Sequence, residues 1–486
     1  MGSINYNDTD VQDVIVVGAG ISGINAAYRL KDELPHKKYL IFEGRDNLGG
    51  TWDLFRYPGI RSDSDLHTFG YSFKEWTGAD IAEGKEILAY LKKVAEENGI
   101  SERIHFKSKV VAADWSTEER VWFVTVDQDG ERKTYRTRFL YNCTGYYDYE
   151  APLKTEIPGI QNFRGKVVHP QFWDLTQDDY RGKRVAVIGS GATAITLIPS
   201  MAKLTKDITL VQRSPTYIVS LDKYDPIAKL IRAVLPHKVA AFVIRQKNIA
   251  RIYASYHFFR AFPGVAKRIL GRLTSSQLPK DIPLDPHFKP NYNPWDQRLC
   301  ISPDGDFYQT LRERNAHIAT GHIDQVTNNE IILKNGERIP CDIIVTATGL
   351  KLAFGGHMEI TLDKKPCPAN ERFVWKGCML EDHPNYAVSI GYTNASWTLG
   401  SDCTAQYVVR LIKHMDKYHK SMAVPKPSNR DQLEVGSLLD LNSTYVKKAE
   451  KDLPKAATTG PWKSRKNYWY DLVQAKYGGF EDLVFK

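Results

Sequence analysis

Two charged residues in tryptophan-containing stretches have the types that could carry chemistry. Arg298 lies in NPWDQRLC, residues 293–300, and Asp63 lies in GGTWDLFRYPGIRSDSD, residues 49–65. Arginine stays protonated where lysine can lose its proton, so a fixed guanidinium can stabilise an oxygen that gains negative charge during a reaction. Without further context, the simpler interpretations are that Asp63 caps a turn and that Arg298 pairs with Asp296 at the surface.

A third candidate is His169 in FRGKVVHPQFWD, residues 163–174. An unperturbed imidazole titrates near pH 6.5, so an acid–base role is chemically open. No metal-ligand spacing surrounds it, and we expect no metal site. The six cysteines form no CxxC pair, which argues against zinc, a disulfide framework and disulfide-reductase chemistry.

The elements that would position these residues begin with a glycine motif near the start of the chain. The apolar run DVIVV is followed by GAGISG, which contains Gly18, Gly20 and Gly23, and a second strand ends at Glu43. Such glycines allow a tight turn, close approach of a pyrophosphate and close helix–strand packing, and the acid can bind ribose hydroxyls. The pattern predicts a dinucleotide site. The alternative is a glycine-rich turn in an unrelated α/β sheet.

A second motif of the same kind follows in RVAVIGSGATAITLIPSMAKL, residues 184–204. Its next strand ends without an acid, in QRSP, which contains Arg213 and Ser214. A guanidinium and a hydroxyl at this point suit a 2′-phosphate, so we expect NADPH here and a tightly held FAD at the first motif. The alternative is a surface arginine at a strand end. The residues predicted to bind the second nucleotide are Gly189, Gly191, Ala192, Thr193, Ala194, Arg213 and Ser214.

The order of the motifs predicts an α/β fold with two Rossmann-like dinucleotide-binding domains, for FAD and NADP, and a helical insert. Two further strands that end in glycine turns, FLYNCTG and DIIVTATG, mark where the chain leaves each nucleotide fold. The predicted segments are 1–148 and 352–486 for the FAD domain, 149–215 and 301–351 for the NADP domain, and 216–300 for the insert. The last part of 352–486 is a C-terminal segment.

Together these motifs resemble type I Baeyer–Villiger monooxygenases. The segment 163–174 has the FxGxxxHxxxW[P/D] spacing of that family, and GYTNASWTL, residues 391–399, extends the likeness over nearly the whole chain. The fixed positions are filled by Phe163, Gly165, His169, Trp173 and Asp174. The resemblance implies an FAD enzyme that takes hydride from NADPH and captures O₂ as a C4a-peroxyflavin. That species converts ketones into esters or lactones, and in protonated form it oxygenates thioethers.

The resemblance also implies roles for individual residues. Arg298 would stabilise the peroxide anion and the tetrahedral adduct, and Asp63 would position Arg298 and hold its charge near the flavin. His169 would lie on a linker that couples cofactor occupancy to rotation of the NADP domain. Arg61 and Ser62 would approach the nicotinamide nucleotide. The residues implied to line the FAD site are Ser22, Thr51, Trp52, Asp53 and Val110.

One departure from the family pattern concerns the second cofactor. Many members carry lysine immediately before the catalytic arginine, where it helps to bind the 2′-phosphate, whereas this chain has Gln297. Strict selectivity for NADPH is therefore less well founded. The alternative functions are S- or N-oxygenation without Baeyer–Villiger activity, as in flavin-containing monooxygenases, and a nucleotide sensor. The sensor would need a defective Arg298–Asp63 pair, and both residues are present.

Charge and hydropathy complete the sequence-based expectations. The chain has 486 residues, enough for two or three domains, and its net charge of +9 is concentrated in residues 226–280, which contain no acid. This basic segment has apolar residues at helical spacing, which fits either a solvated face packed on the NADP domain or a peripheral membrane contact. No motif for nucleic acid accompanies it. MGSINYNDTD lacks signal-peptide features, so we expect a cytoplasmic protein that acts on a hydrophobic ketone or thioether with O₂.

Overall fold

The computed structural model describes residues 10–439 and 443–486. Nearly all of the N-terminal stretch used to predict localisation therefore lies outside the described residues. Within the described part of the chain, no helix is long and apolar enough to cross a membrane.

The first sheet has eleven strands and contains the first βαβ unit. Its central strand, Val11–Val17, pairs in parallel with Tyr39–Phe42 on one side and with Glu131–Asn142 on the other. Five residues of this strand are buried, as expected for a parallel strand covered on both faces. The other strands of the sheet are Ile104–His105, Ser108–Ser116, Val121–Gln128, Glu359–Leu362, Lys365–Pro366, Val374–Trp375, Met379–Leu380 and Tyr386–Val388.

The second sheet has five strands, all parallel, and contains the second βαβ unit. Its order is His317–Thr320, Asp207–Gln212, Arg184–Ile188, Ile343–Thr346 and Lys166–Val168. A three-stranded antiparallel sheet is formed by Ile323–Val326, Glu330–Leu333 and Arg338–Pro340. The two-stranded pairs are Ile218–Leu221 with Cys300–Pro303, Ala423–Pro425 with Leu483–Phe485, and Val435–Gly436 with Ala456–Ala457.

The two predicted βαβ units are thus both present, and the α/β fold class is confirmed. The first sheet draws its strands from both ends of the chain, and the second sheet draws its strands from the middle. The exact domain boundaries stay a prediction. The α-helices are Ile21–Glu33, Thr51–Leu54, Leu66–Phe69, Gly84–Glu97, Gln177–Tyr180, Ala192–Met201, Pro226–Val234, His237–Ala261, Pro263–Ser275, Leu284–His287, Asp306–Arg312, Trp397–Lys417, Thr444–Ala449 and Tyr468–Tyr477.

The basic insert is helical as predicted, but its long helix packs differently from the expectation that it covers the NADP domain. In His237–Ala261, Arg245 donates hydrogen bonds to the carbonyl oxygens of His67 and Gly70, and Ile249 joins the core of the first unit. The physical reason is that the buried face of this helix carries polar groups that find partners only on the first unit.

Candidate active site

A cleft of about 500 Å³ opens at the carboxyl ends of the first sheet's parallel strands. This is the edge at which α/β folds bind their ligands. We call it the central cleft. Of the predicted site residues, those that line it are Gly18, Gly20, Ser22, Glu43, Thr51, Trp52, Arg61, Ser62, Asp63, Val110 and Arg298.

The first glycine turn has the geometry that a dinucleotide requires. Gly18 has a φ of +100°, and a Cβ there would lie 2.8 Å from the carbonyl oxygen of Cys143. A Cβ on Gly23 would lie 1.9 Å from the carbonyl oxygen of Gly18, which explains the close helix–strand packing. The helix that follows has Gly20 as its N-cap and no side-chain cap. Its first N–H groups therefore remain available to a pyrophosphate.

Glu43 lies directly after the second strand, with its carboxylate buried at the rim of the turn. It accepts hydrogen bonds from the backbone N–H groups of Ala19 at 2.8 Å and Arg45 at 3.0 Å. Burial raises the pKa of Glu43, and these two hydrogen bonds oppose that shift. The carboxylate is thereby held in one position at the central cleft.

A second helix begins at the same cleft. Trp397, the first residue of Trp397–Lys417, lines the cleft and donates a hydrogen bond of 3.0 Å from its indole to the Ser22 hydroxyl. The ring of Tyr146 stacks on this indole, with 4.6 Å between centroids and 21° between planes. No local sequence pattern pointed to Tyr146, because its partner lies in a distant part of the chain.

Arg298 and Asp63 line the central cleft from different segments. Arg298 donates a hydrogen bond of 3.1 Å to the carbonyl oxygen of Tyr392. Burial raises the pKa of Asp63 to about 6, and the positive charges of Arg61 and Arg298 oppose that shift. A carboxylate and a guanidinium that influence each other's charge therefore face the same space.

The structure shows specific partners for the residues in the simpler interpretations. Asp296 pairs with Arg260 at 2.7 Å, and Arg298 lines the central cleft. The residue that caps a turn is Asp65, whose carboxylate accepts a hydrogen bond of 3.0 Å from the Thr68 N–H. Asp63 is left facing the cleft.

Arg61 is held by a partner that sequence analysis missed. Its guanidinium pairs with Asp306 at 2.5 Å and donates to the carbonyl oxygen of Ile301 at 3.0 Å. The Ser302 hydroxyl donates to the same Asp306 carboxylate at 2.8 Å. Since Arg61 and Asp306 are far apart in sequence, no spacing pattern could connect them.

Asp53 differs from the other residues implied to line the FAD site, because it is not among the residues that line the central cleft. Its buried carboxylate pairs with Arg45 at 2.7 Å and with Arg56 at 3.3 Å. Arg45 does line the cleft. Asp53 therefore positions a cation at the cleft instead of facing it.

The second glycine turn lies outside the central cleft but is built in the same way. Gly189 has a φ of +137°, and a Cβ there would lie 2.2 Å from the carbonyl oxygen of Ala347. Ala194 is fully buried, whereas Gly191 and Ala192 are exposed, and a Cβ on Gly191 would meet no atom within 4 Å. The helix Ala192–Met201 begins here without a side-chain cap. The backbone N–H groups at this turn are thus accessible to a phosphate.

The segment before Asp63 connects the two glycine turns. The phenol of Tyr57 interacts with the Thr193 hydroxyl, and burial raises the pKa of Tyr57 to about 12. A Cβ on Gly59 would lie 1.8 Å from the Ser200 hydroxyl oxygen, so this segment packs directly on the second unit's helix. Arg213 is exposed and Ser214 half-buried just after the strand Asp207–Gln212.

His169 lies at the end of strand Lys166–Val168, away from the central cleft. Its Nδ1 accepts a hydrogen bond of 3.2 Å from the Gln171 N–H, and this caps a short turn. Burial lowers the pKa of His169, and a backbone hydrogen bond with Gly349 opposes that shift. His169 is therefore a neutral, partly buried group at a place where the chain passes from one sheet to the other.

Segment 163–174, which contains His169, also contacts the two places where the chain passes from one sheet to the other. The Gln171 side chain donates a hydrogen bond of 2.6 Å to the carbonyl oxygen of Asp148. The Asp148 carboxylate pairs with Lys351 at 2.7 Å and with His357 at 3.1 Å. The two places where the chain passes between the sheets, near residues 148 and 351, are thus joined to segment 163–174.

Across residues 10–439 and 443–486, no group of three or more His, Cys, Asp or Glu side chains is placed to hold a metal ion. The six cysteines are free and buried.

Comparison with known proteins adds three findings. Residues 70–254 match the family model described as flavin-binding monooxygenase-like, and residues 16–78 match that of an NAD(P)-binding Rossmann-like domain. The chain is 43% identical to the FAD-containing monooxygenase EthA of Mycolicibacterium smegmatis, over 96% of this chain and 95% of that protein. It is 40% identical to the probable FAD-binding monooxygenase AlmA of Acinetobacter baylyi, over 97% and 95%.

The fold is also similar to that of an oxidized steroid monooxygenase bound to NADP. The TM-score is 0.78, with 22% identity over 98% of this chain and 99% of that chain. At this identity the likeness concerns the fold.

Proposed function

Because the chain belongs to the FAD-containing monooxygenases, we propose that it uses NADPH, FAD and O₂ to insert oxygen into hydrophobic ketones, giving esters or lactones. We include the sulfoxidation of thioethers in this proposal. The family membership confirms the resemblance identified in the sequence and the prediction of a flavoprotein monooxygenase. The observation that carries the ketone reaction is that Arg298 and Asp63 line the same cleft as the first glycine turn.

The residues of the central cleft fit FAD. Gly18, Gly20 and the uncapped helix after them would hold its pyrophosphate, and Glu43 its ribose. When bound, FAD would supply the redox chemistry: with two electrons from NADPH, one atom of O₂ is inserted into the substrate and the other leaves as water. The Tyr146–Trp397 pair, which is hydrogen-bonded to Ser22 at the start of the glycine-turn helix, would border the bound cofactor.

The role of Arg298 in this proposal is electrostatic. When a ketone carbonyl is attacked, its oxygen becomes an anion, and a permanently charged guanidinium beside it lowers the energy of that state. The positive charge of Arg298 acts on the Asp63 carboxylate. This attraction would keep the guanidinium of Arg298 directed into the cleft. Neither residue needs to exchange a proton with the substrate.

The experiment that tests the function compares two substrates of equal shape, 2-decanone and methyl octyl sulfide. With NADPH and O₂, we expect octyl acetate from the ketone and methyl octyl sulfoxide from the thioether, each with one NADPH consumed per product. Sulfoxide without ester would replace our proposal by S-oxygenation alone. NADPH consumption that yields only hydrogen peroxide would contradict both.

We propose that the second nucleotide is NADPH and that Arg213 and Ser214 bind its 2′-phosphate. Gly189, Gly191, Ala192, Thr193 and Ala194 would hold its pyrophosphate, with Arg61 and Ser62 near the nicotinamide. Exposed Arg213 at the strand end supports this, although Gln297 stands where many family members have lysine.

The change Arg213→Gln removes a charge-assisted hydrogen bond to phosphate. We expect the KM for NADPH to rise about tenfold or more, since such a bond contributes about 1.5–3 kcal/mol. The KM for NADH should stay the same. Steady-state kinetics with both nucleotides measure this, with Arg181→Gln, an exposed arginine of the same unit, as the control. Equal effects on the two nucleotides would refute the assignment.

We propose that His169 is a positioning residue that couples occupancy of the second nucleotide site to the position of the second unit. His169 contacts Gln171 and Gly349, and both lie where the chain passes between the two sheets. These contacts support the role. The change His169→Ala is expected to slow anaerobic flavin reduction by saturating NADPH several-fold. His169→Gln, which keeps an acceptor, should retain more of the rate. Stopped-flow absorbance measures both, and wild-type reduction in His169→Ala would end the coupling proposal.

We also propose that segment 226–280 makes a peripheral membrane contact. Phe262, which caps Pro263–Ser275, and Val265, Ile269 and Leu273 of that helix form an apolar stripe, and each is at least 40% exposed. Ala266 and Leu270, which lie directly beside this stripe, are buried. Exposed Arg268 and Arg272 border the stripe on its other side, a combination typical of helices that lie on anionic bilayers.

The membrane contact is tested by vesicle co-sedimentation. We expect wild type to pellet with phosphatidylglycerol vesicles, less so as salt rises, and not with phosphatidylcholine vesicles. Ile269→Asp should weaken binding strongly. Val473→Asp, an exposed apolar position on Tyr468–Tyr477, is the control. Equal recovery with both lipids, or normal binding by Ile269→Asp, would contradict the proposal.

A further inference from the structure

A second large cleft lies on the first unit and shares no lining residue with the central cleft. Its volume is about 850 Å³, within the range of small-molecule sites. Its walls come from the helices Ile21–Glu33, His237–Ala261, Trp397–Lys417 and Tyr468–Tyr477, and from the segment that contains Phe73. We call it the side cleft. The proposed monooxygenase reaction does not use it.

The charge of the side cleft is unbalanced. Six arginines and lysines line it, but only three carboxylates do. Each carboxylate already has a cationic partner: Asp402 pairs with Arg29 at 2.9 Å, Glu33 with Lys413 at 2.8 Å, and Glu75 with Arg232 at 3.7 Å. The remaining cations leave the lining with an excess of positive charge.

Arg245 is the most buried of these cations, with 8% of its surface exposed. Its Nη1 donates to the carbonyl oxygens of His67 and Gly70, each at 2.8 Å. Its Nη2 is buried, and the guanidinium hydrogen-bonds with the phenol of Tyr468, whose pKa burial raises to about 12. These partners are all neutral oxygens, so the buried charge of Arg245 has no counter-ion among them, and an anionic oxygen would bind it more strongly.

Arg410 provides a second charge with no carboxylate partner within 4.0 Å among the described residues. It donates to the carbonyl oxygens of Ala475 at 2.8 Å and Gln474 at 3.2 Å. Its guanidinium lies over the rings of Tyr407 and Phe480, 4.7 and 4.5 Å from their centroids. These contacts fix its position without neutralising it, so it adds a preorganised positive field to the cleft.

The rest of the lining is apolar or aromatic. Phe73, Trp76 and Leu472 contribute to the walls, and the rim carries Phe242 and Tyr477, which are 64% and 78% exposed. Large apolar side chains at the rim of a cleft usually contact a ligand or partner. A ligand here would place a charged group near Arg245 and an apolar body against these rings.

We propose that the side cleft binds an amphipathic organic anion, with a carboxylate or a phosphate monoester as head group and an apolar tail. The head group would accept hydrogen bonds from Arg245 and lie in the field of Arg410. The tail would cover Phe242 and Tyr477. This site is separate from the one that carries the proposed function.

The test measures binding and not catalysis, so its outcome does not depend on the monooxygenase reaction. Octanoate, octyl phosphate and 1-octanol are titrated by isothermal calorimetry into the FAD-loaded protein saturated with NADP⁺. We expect one or both anions to bind at least tenfold more tightly than the alcohol. The tighter anion identifies the head group.

Two variants assign the binding to the side cleft. Phe242→Glu changes an exposed rim residue without disturbing the core, and Arg245→Gln removes the buried charge; each should weaken anion binding at least tenfold. Arg245→Lys should retain part of the affinity, and Val435→Glu, an exposed apolar position outside the cleft, should retain all of it. Equal binding of octanol and the anions, no binding of either anion, or unchanged affinity in Phe242→Glu would overturn the proposal.

Discussion

Replacing Arg298 with alanine is expected to reduce ester formation from 2-decanone by about 10²–10³-fold, the usual effect of removing one preorganised oxyanion donor. Anaerobic reduction of the flavin by NADPH should change far less, because no oxyanion forms in that step. Stopped-flow absorbance for the reduction and product analysis for the ester separate the two effects. The variant should fold normally, since Arg298 is exposed and its hydrogen bond to the carbonyl oxygen of Tyr392 lies at the edge of the cleft.

Two further variants show whether charge or geometry is responsible. Arg298→Lys keeps the charge but loses the planar donor array, so we expect it to recover part of the ester yield. Arg260→Ala removes a nearby arginine that pairs with Asp296, and it should leave ester formation close to wild type. Wild-type ester yield in Arg298→Ala would show that another group stabilises the oxyanion.

The change Asp63→Asn is expected to abolish most ester formation and, at neutral pH, to stabilise the flavin-free protein. The native pKa of Asp63 is raised from 3.8 to about 6, mainly by burial. Between these two values the native state binds more protons than the unfolded state, so stability falls as pH rises through this range. Above about pH 6 the native protein carries the full cost of the buried charge, which asparagine avoids.

Thermal unfolding at several pH values measures the stability effect. The Tm of Asp63→Asn relative to wild type should increase from pH 4.5 to pH 7.5. Asp65→Asn is the matched control, because it alters a carboxylate that caps a helix and should not show this trend. A constant Tm difference across the range would mean that Asp63 is not a buried charge.

The pH dependence of activity tests the role of the same carboxylate. In wild type, ester formation should decline as the pH falls through about 6, since protonated Asp63 no longer attracts Arg298. In Asp63→Asn the residual activity should lack this acidic limb. An identical limb in both proteins would assign it to another group.

The two nucleotide units and the class of cofactor could be predicted from the amino-acid sequence alone. This was possible because the requirements are local. A positive φ at Gly18, the contact of Gly23 with Gly18 and the position of Glu43 after its strand all involve residues within one βαβ unit. The second turn follows the same rules at Gly189 and Ala194. Family resemblance then added Arg298 and Asp63, which no local pattern would have selected.

Only the tertiary structure decided how these residues are supported. Arg61 pairs with Asp306, and Trp397 stacks with Tyr146. Segment 163–174 contacts both places where the chain passes between the two sheets. The insert helix packs on the first unit because Arg245 finds its carbonyl partners there. The physical reason is common to all of these cases. Such contacts join residues far apart in the chain, and their formation depends on how the sheets and helices pack, which residue spacing in one sequence does not encode.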